Sequence, residues 1–251
     1  MLKNVDFYYF SPTGGTKKAG KVLASGIAGS VREVNLAANV TENLCSDAVI
    51  VAAPVFAGRI PAIVSERLSR LDGKGKKAIT VVVYGIRAYD DALLELNDVM
   101  ESRGFEVIAS AALVAQHSIV PEVGTGRPDE SDLDEIKQFA KRVLQVIEGG
   151  GSASFAVPGN RPYKENPKSS ATPVTLSACS RCGYCASVCP TDAVTVTDRG
   201  VETDTNLCML CMACVARCPA QARILPPALQ EGLAQRLRIF KDVHRENEFY
   251  L

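Results

Sequence analysis

The chain has 251 residues and no surplus of charge: Lys plus Arg and Asp plus Glu each total 28. A general nucleic-acid binder, or a protein held to anionic lipid, needs a basic face, so both classes are disfavoured. No helix pair with a basic face stands out that would read a DNA groove. The chain also lacks an apolar run long enough to span a bilayer. The first ten residues are too short and too aromatic for the apolar core of a signal peptide, and they read as a strand. A soluble, cytoplasmic protein follows as the expectation. No lysine stands after the second glycine of the loop Ser11-Pro12-Thr13-Gly14-Gly15-Thr16 in a G-x4-G-K-[ST] arrangement, which excludes a nucleotide-triphosphatase phosphate loop.

What is present is cysteine in a pattern. Eight of nine cysteines form two copies of C-x2-C-x2-C-x3-C-P: Cys179, Cys182, Cys185, Cys189 before Pro190, and Cys208, Cys211, Cys214, Cys218 before Pro219. Three thiolates at that spacing can wrap one cubane cluster while the fourth points elsewhere. Structural zinc usually shows two separated pairs, and disulfides need an oxidising compartment that nothing here indicates. An offset of 29 residues superposes the copies, carrying Ala193 onto Ala222 as well. Residues 194–196 and 223–225 read as short strands. The ninth cysteine, Cys45, reads as a partly buried small apolar residue.

The run resembles that of bacterial two-cluster ferredoxins. The resemblance implies two [4Fe-4S] clusters in a small α+β domain, with the two strands as a βαβ pair. It also implies crossed ligation: Cys179, Cys182, Cys185 and Cys218 on cluster one, and Cys208, Cys211, Cys214 and Cys189 on cluster two.

The length suggests two domains, and the first 150 residues alternate strand and helix. Strands are expected at 5–10, 31–36, 47–53, 77–84 and 105–115, with helices at 14–29, 61–71, 89–103 and 131–148. That order implies a doubly wound, five-stranded parallel sheet covered on both faces. Residues 150–172 read as a linker or extended loop, 173–225 as the cluster domain, and 226–251 as a C-terminal helix packed on a domain, with Leu229, Leu233, Leu237, Phe240 and His244 along one face.

Three loops leave carboxyl ends of these strands, where doubly wound sheets bind ligands. The first is hydroxyl- and glycine-rich at a helix start. Its free N–H groups, with Ser11, Thr13, Gly14, Gly15 and Thr16, suit a phosphate. A plain capped helix start is the alternative. The second holds Pro54, Val55, Phe56, Ala57, Gly58 and Arg59. The third holds Tyr84, Gly85, Arg87, Tyr89 and Asp90. Together they resemble the flavodoxin family over residues 1–149, which implies FMN. On that resemblance Phe56 and Tyr89 flank the flavin ring, and backbone of 54–58 and 85–87 meets its polar edge. The alternative is that both aromatics anchor loops to the core. Arg59 and Arg87 either favour the reduced flavin anion, giving a less negative potential, or pair with nearby carboxylates. His117 is either a proton donor or a hydrogen-bonded loop residue. Arg127 is either structural or part of the site, and Ser131 is the expected cap of the last helix in this half.

The whole chain resembles flavodoxin–ferredoxin fusion proteins of anaerobic bacteria and archaea. That implies an electron carrier linking FMN, two clusters and redox-protein partners. The rival expectation is a flavoenzyme reducing a small substrate, with Tyr89 and His117 as acid–base candidates. Two docking arrangements are compatible with the sequence: the cluster domain over its own flavin site, or over that of a second chain in a homodimer.

Overall fold

The computed structural model describes residues 1–38, 44–46, 48–150, 155–165 and 171–251. The first half follows the expected alternation: β1 (Leu2–Tyr9), α1 (Gly15–Ile27), β2 (Ala28–Asn35), β3 (Ala48–Pro54), α2 (Ala62–Leu68), β4 (Lys77–Tyr84), α3 (Ala92–Ser102), β5 (Glu106–Val114) and α4 (Glu130–Glu148). Strands β3 to β5 are almost wholly buried. They have helices on both faces, which is why they read as continuous apolar runs rather than alternating ones. All pairings among β1 to β5 are parallel, in the order β2-β1-β3-β4-β5. That 2-1-3-4-5 order is the flavodoxin-like form of the doubly wound sheet. Helices α1 and α4 share one apolar cluster with the sheet, and α2 and α3 share the other.

The cap of α4 differs from expectation. Asp129, not Ser131, accepts the Asp132 N–H, and Asp132 answers with its carboxylate to the Asp129 N–H. A carboxylate at both positions also opposes the positive end of the helix dipole.

The second half contains β6 (Val174–Thr175), α5 (Tyr184–Ser187), β7 (Val194–Thr197), β8 (Gly200–Thr203), α6 (Ala213–Ala216) and β9 (Arg223–Ile224). The two strands expected as one pair do not meet. β7 pairs antiparallel with β8, and β9 pairs antiparallel with β6. The Asp198–Arg199 turn closes β7 onto its immediate neighbour, a local pairing that needs little loop closure.

The C-terminal segment is not one helix, which corrects the expectation for 226–251. Helix α7 (Pro227–Leu237) gives way to a 3-10 turn (Arg238–Phe240), and then β10 (Glu248–Tyr250) adds antiparallel to the free edge of β5. The helix does pack on the first domain, as expected: Leu233, Ala234, Leu237 and Phe240 join the core on the α2/α3 face. His244 is exposed beside Glu246. Asn247 fixes the returning chain by accepting the Val114 N–H and donating to Asp132 and Glu135. Among the described residues the sheet thus has six strands, one antiparallel, and the edge of β5 is paired.

Of the expected linker, residues 151–154 and 166–170 lie outside the described residues. Residues 155–165 form a strap against α3. Asn160 and Lys164 donate backbone N–H groups to Asp91, and Arg161 and Tyr163 bind Asp98. The cysteine-rich half is therefore held to the sheet on both sides, by this strap before it and by α7 and β10 after it. Among the described residues no helix is long and apolar enough to cross a membrane.

Candidate functional site

β1, β3 and β4 end beside one another, so the three loops open on one edge of the sheet. After β1, Gly14 caps α1 at φ 101° with no side-chain cap bond. A Cβ there would meet nothing within 4 Å, so the space before the helix is open. The Ser11 hydroxyl accepts the Lys17 N–H at 2.9 Å. The N–H groups of Gly15 and Thr16 lie in a first turn, which has no intrahelical acceptors, at the positive end of the dipole. Thr16 is buried, while Thr13 is exposed. The neighbouring cations are held elsewhere: Lys17 by Glu33 at 2.5 Å and Lys18 by the Pro128 carbonyl at 2.9 Å.

After β3, Phe56 and Arg59 exchange backbone hydrogen bonds around Ala57 (φ 52°) and Gly58 (φ 91°). Positive φ at both central residues is what a tight two-residue hairpin turn of the primed type requires. Val55 continues the ladder by donating to the Val83 carbonyl, and Pro54 ends β3. The half-buried Phe56 ring meets Phe10 edge-on at 6.5 Å, at the root of the first loop. The third loop is pressed against the second, because the Asp91 N–H donates to the Gly58 carbonyl at 3.0 Å. In this loop Ile86 has φ 64°, and the Arg87 N–H folds back to the Gly85 carbonyl at 2.7 Å.

Several side chains expected at the ligand are committed to the scaffold instead. Tyr89 is buried, edge-on to Tyr84 at 5.3 Å, and its hydroxyl donates to Glu248 at 2.6 Å. Burial, and then that carboxylate, push its pKa up. It anchors β10 to the core, the alternative to a place beside a ring. Arg59 makes a bidentate pair with Glu95, at 2.6 and 2.7 Å, and stacks 4.6 Å over the Tyr163 ring. Arg87 pairs with Asp90, which Lys164 also meets at 2.8 Å. Burial pushes the Asp90 carboxyl up, but hydrogen bonds from Lys164 and Arg87 outweigh it and hold the group below its ordinary range. Arg59, Arg87 and Lys164 are thus matched by Glu95, Asp90 and Asp91, which removes the basis for a flavin potential raised by net positive charge. His117 is the loop residue of the two alternatives: its Nδ1 accepts the Ile119 and Val120 N–H groups, and burial lowers its pKa. Arg127 is structural, paired with Asp132.

Glu95, Asp91, Asn160, Tyr163 and Lys164 complete this ring of loops. The sequence carries one signal for them: acids at 90, 91, 95 and 98 face a basic Asn-Arg-Pro-Tyr-Lys stretch about 70 residues later.

The cysteine loops repeat in backbone as well as in sequence. Positive φ recurs at the 29-residue offset: Arg181 (56°) and Leu210 (52°), Gly183 (79°) and Met212 (65°), Asp192 (54°) and Gln221 (49°). These left-handed residues turn amides toward sulfur. The Cys179, Cys189 and Cys218 Sγ atoms accept backbone N–H groups at 3.3–3.4 Å. Cys189 lines one cavity with Cys208, Cys211 and Cys214, the set that the crossed ligand pattern groups together. Among the described residues no three His, Cys, Asp or Glu side chains converge on a single ion. Burial pushes the Cys211 thiol up to about 12. A thiolate at that position therefore calls for a cationic metal core beside it, and the donor set fits an iron–sulfur cluster. Cys45, expected to be partly buried, is exposed.

Backbone strain marks both regions. Among the described residues, nine non-glycine residues have positive φ. Ala57, Ile86 and Asp90 lie in the second and third loops; Arg181, Asp192, Leu210, Met212 and Gln221 lie in the cysteine loops; only Lys74 lies elsewhere. Such conformations persist where the surroundings over-determine them, typically at ligand clamps.

The two regions touch. Met209 and Cys211 pack against the core of the first domain, and the Arg217 Nε donates to the Pro12 carbonyl at 3.3 Å. Gln230 adds a bond to the Ile119 carbonyl at 2.7 Å.

Residues 178–222 match the family of 4Fe-4S dicluster domains. Over 44 residues the sequence is 48% identical to a polysulfide reductase subunit from Wolinella succinogenes, a stretch that takes in 17% of this protein and 23% of that one. The match thus covers well under two thirds of that relative's length. The first half is similar in structure to a flavodoxin from the domain Archaea, at 18% identity, over 58% of this chain and 99% of that one, with a TM-score of 0.45. Flavodoxin 1 of Bacillus cereus gives 16% identity, 57% and 98% coverage, and a TM-score of 0.44. The assignment of the first-half fold rests on its strand order and not on these likenesses.

Proposed function

We propose that this chain, a flavodoxin-like sheet joined to a 4Fe-4S dicluster domain, is an electron-transfer protein that binds FMN and two [4Fe-4S] clusters. The supporting observation is the contact between its halves: Met209 and Cys211 pack on the first domain's core, and Arg217 reaches the Pro12 carbonyl in the loop suited to phosphate. Bound there, FMN supplies one- or two-electron exchange and each cluster one-electron exchange.

The residues have distinct tasks in this reading. Ser11, Gly14, Gly15 and Thr16 present hydroxyl and N–H donors to the phosphate. Phe56 and the backbone of 54–58 and 85–87 bound the ring, with Gly58 and Asp91 holding their loops together. Cys208, Cys211, Cys214 and Cys189 hold the cluster nearer the flavin. Cys179, Cys182, Cys185 and Cys218 hold the outer one, where Cys182 and Tyr184 are exposed to a partner. The strap and β10 keep the two halves at high effective concentration, so transfer within one chain is favoured over transfer across a homodimer.

For the flavoenzyme reading Tyr89 is committed to Glu248, and His117, its Nδ1 filled by backbone N–H groups, retains only Nε2 for proton exchange. The partners we propose are redox proteins, in the reducing cytoplasm that thiolate-bound clusters suit. Anaerobically purified protein should carry about eight iron atoms and about one FMN. Zinc in place of iron, half the iron, or no flavin after incubation with FMN would overturn the reading.

A further inference from the structure

Position 223 breaks the internal repeat. The 29-residue offset places it on Val194, a buried apolar residue packed with Cys185 and Cys214. Arg223 is also buried, at 2% exposure. Its Nη1 donates to Thr175 at 2.6 Å, and its Nη2 to Thr203 at 2.7 Å and toward the Cys214 Sγ at 3.9 Å. Its Nε is buried with no hydrogen-bond partner. No carboxylate among the described residues pairs with it. A guanidinium cannot shed its proton to escape such a site, and burying one without an opposing charge is strongly unfavourable. The negative charge that answers it must come from what the cysteines hold.

We infer that Arg223 is a positioned charge that raises the reduction potential of the cluster held by Cys214 above that of its twin. This rests on the two-cluster reading. Reducing a cluster adds one electron and one unit of negative charge, with no proton moved. A fixed cation beside it, in a medium of low dielectric, stabilises the reduced form more than the oxidised one. The same site in the other copy is filled by neutral Val194. Since the Cys214 set lies against the first domain, the higher potential falls on the inner cluster. Electrons entering at the outer cluster then move inward, downhill toward the flavin loops.

The test is a redox titration of the anaerobic holoprotein, with the two clusters followed by electron paramagnetic resonance. Iron content is measured first, so that failure of the two-cluster reading is seen separately. Arg223→Gln keeps hydrogen-bonding capacity toward the threonines and removes the charge. It should make reduction of one cluster at least about tenfold less favourable, about 59 mV for one electron, and move the other less. Arg223→Lys should hold the parent value more closely. If Arg223→Gln does not assemble its iron, Thr175→Val and Thr203→Val loosen the guanidinium while keeping its charge. Those variants should shift the same cluster in the same direction by less. Midpoints equal to the parent's, or an equal fall in both clusters, would overturn the inference.

Discussion

Replacing Gly58 with alanine should loosen the loops proposed to hold the flavin, by an amount the geometry allows to be worked out. Gly58 has φ 91°, a region in which a residue bearing a Cβ costs about 1–2 kcal/mol. The added Cβ would stand 2.8 Å from the Asp90 Cβ and closer still to its Oδ2. Relieving such an overlap costs about 1–3 kcal/mol. The sum is about 2–5 kcal/mol, which for a chain of this size is a fall in melting temperature of about 4–20 °C. Gly14→Ala is the control, because φ is 101° but the space is open, so only the backbone contribution applies. Asp90→Gly is the rescue. Asp90 itself sits at φ 43°, so glycine is welcome there, and the ion pairs lost with Arg87 and Lys164 are half-exposed and worth about 0–1 kcal/mol. The double variant should therefore recover at least about 1 kcal/mol relative to additivity. FMN affinity of the apoprotein should weaken in Gly58→Ala by about tenfold or more, equivalent to about 1.4 kcal/mol. A Gly58→Ala melt no lower than that of Gly14→Ala, or additive behaviour with Asp90→Gly, would refute the packing argument.

Other outcomes follow from single contacts. Arg59→Gln leaves the largely buried Glu95 without its cation and should cost about 2–4 kcal/mol by thermal melt, yet shift the flavin midpoint little, because that charge was already neutralised. Cys189→Ser should lose the cluster of Cys208, Cys211 and Cys214 and spare the other; iron analysis with paramagnetic resonance reads this, and loss of only the other cluster would refute crossed ligation. Asp6→Asn should cost about 3 kcal/mol near neutral pH, because the buried carboxylate binds Arg32, the Cys45 N–H and Ser46. Burial raises the Asp6 pKa, but those bonds outweigh it and hold it below its ordinary value. Its contribution is therefore full above the unfolded value of about 3.9 and fades as pH falls through the lower folded one, so the urea-midpoint gap between parent and variant should close below about pH 4.

Much of the architecture was legible because periodicity and short-range signals agree. The buried strands β3, β4 and β5 are apolar runs, and the parallel sheet follows from the helices between them. What escaped reading depends on long-range pairing. Residues 248–250 are too few to show an alternation, and only their seat on the free edge of β5 makes them a strand. The partner of β7 was missed for a different reason: β8 (Gly200–Thr203) is a short neighbouring segment that begins at a glycine and carries no apolar run, and only its pairing with β7 makes it a strand. At the site, the grouping of Cys189 with Cys208, Cys211 and Cys214 around one cavity could be read from spacing, because spacing is what a cluster constrains. The choice between the alternatives at Tyr89 and Arg59 could not, whereas the Arg87–Asp90 pair is one of the pairings the sequence offered. Each side chain reaches a partner by choice of rotamer, and Glu248 lies 159 residues from Tyr89.

The orientation of the cluster domain was nevertheless written in the chain, in the differences between the repeats rather than in their likeness. Between the first two cysteines and just after, the first copy carries Ser180, Arg181 and Tyr184, and the second carries Met209, Leu210 and Ala213. Arg181 and Tyr184 are exposed, whereas Ala213 is buried and Met209 packs against the other domain's core. Ligating a cluster does not require this difference, since both copies hold the same cysteines and the same left-handed turns. Desolvation does require it: a copy pressed against an apolar core must not bring an unpaired guanidinium with it. Reversing the pattern with Met209→Ser and Leu210→Arg should therefore leave both ligand sets intact and weaken the contact between halves. The expected result is unchanged iron content, slower electron transfer between flavin and clusters by flash photolysis, and faster proteolysis in the strap at 155–165. Transfer as fast as in the parent would mean that this contact does not set the route.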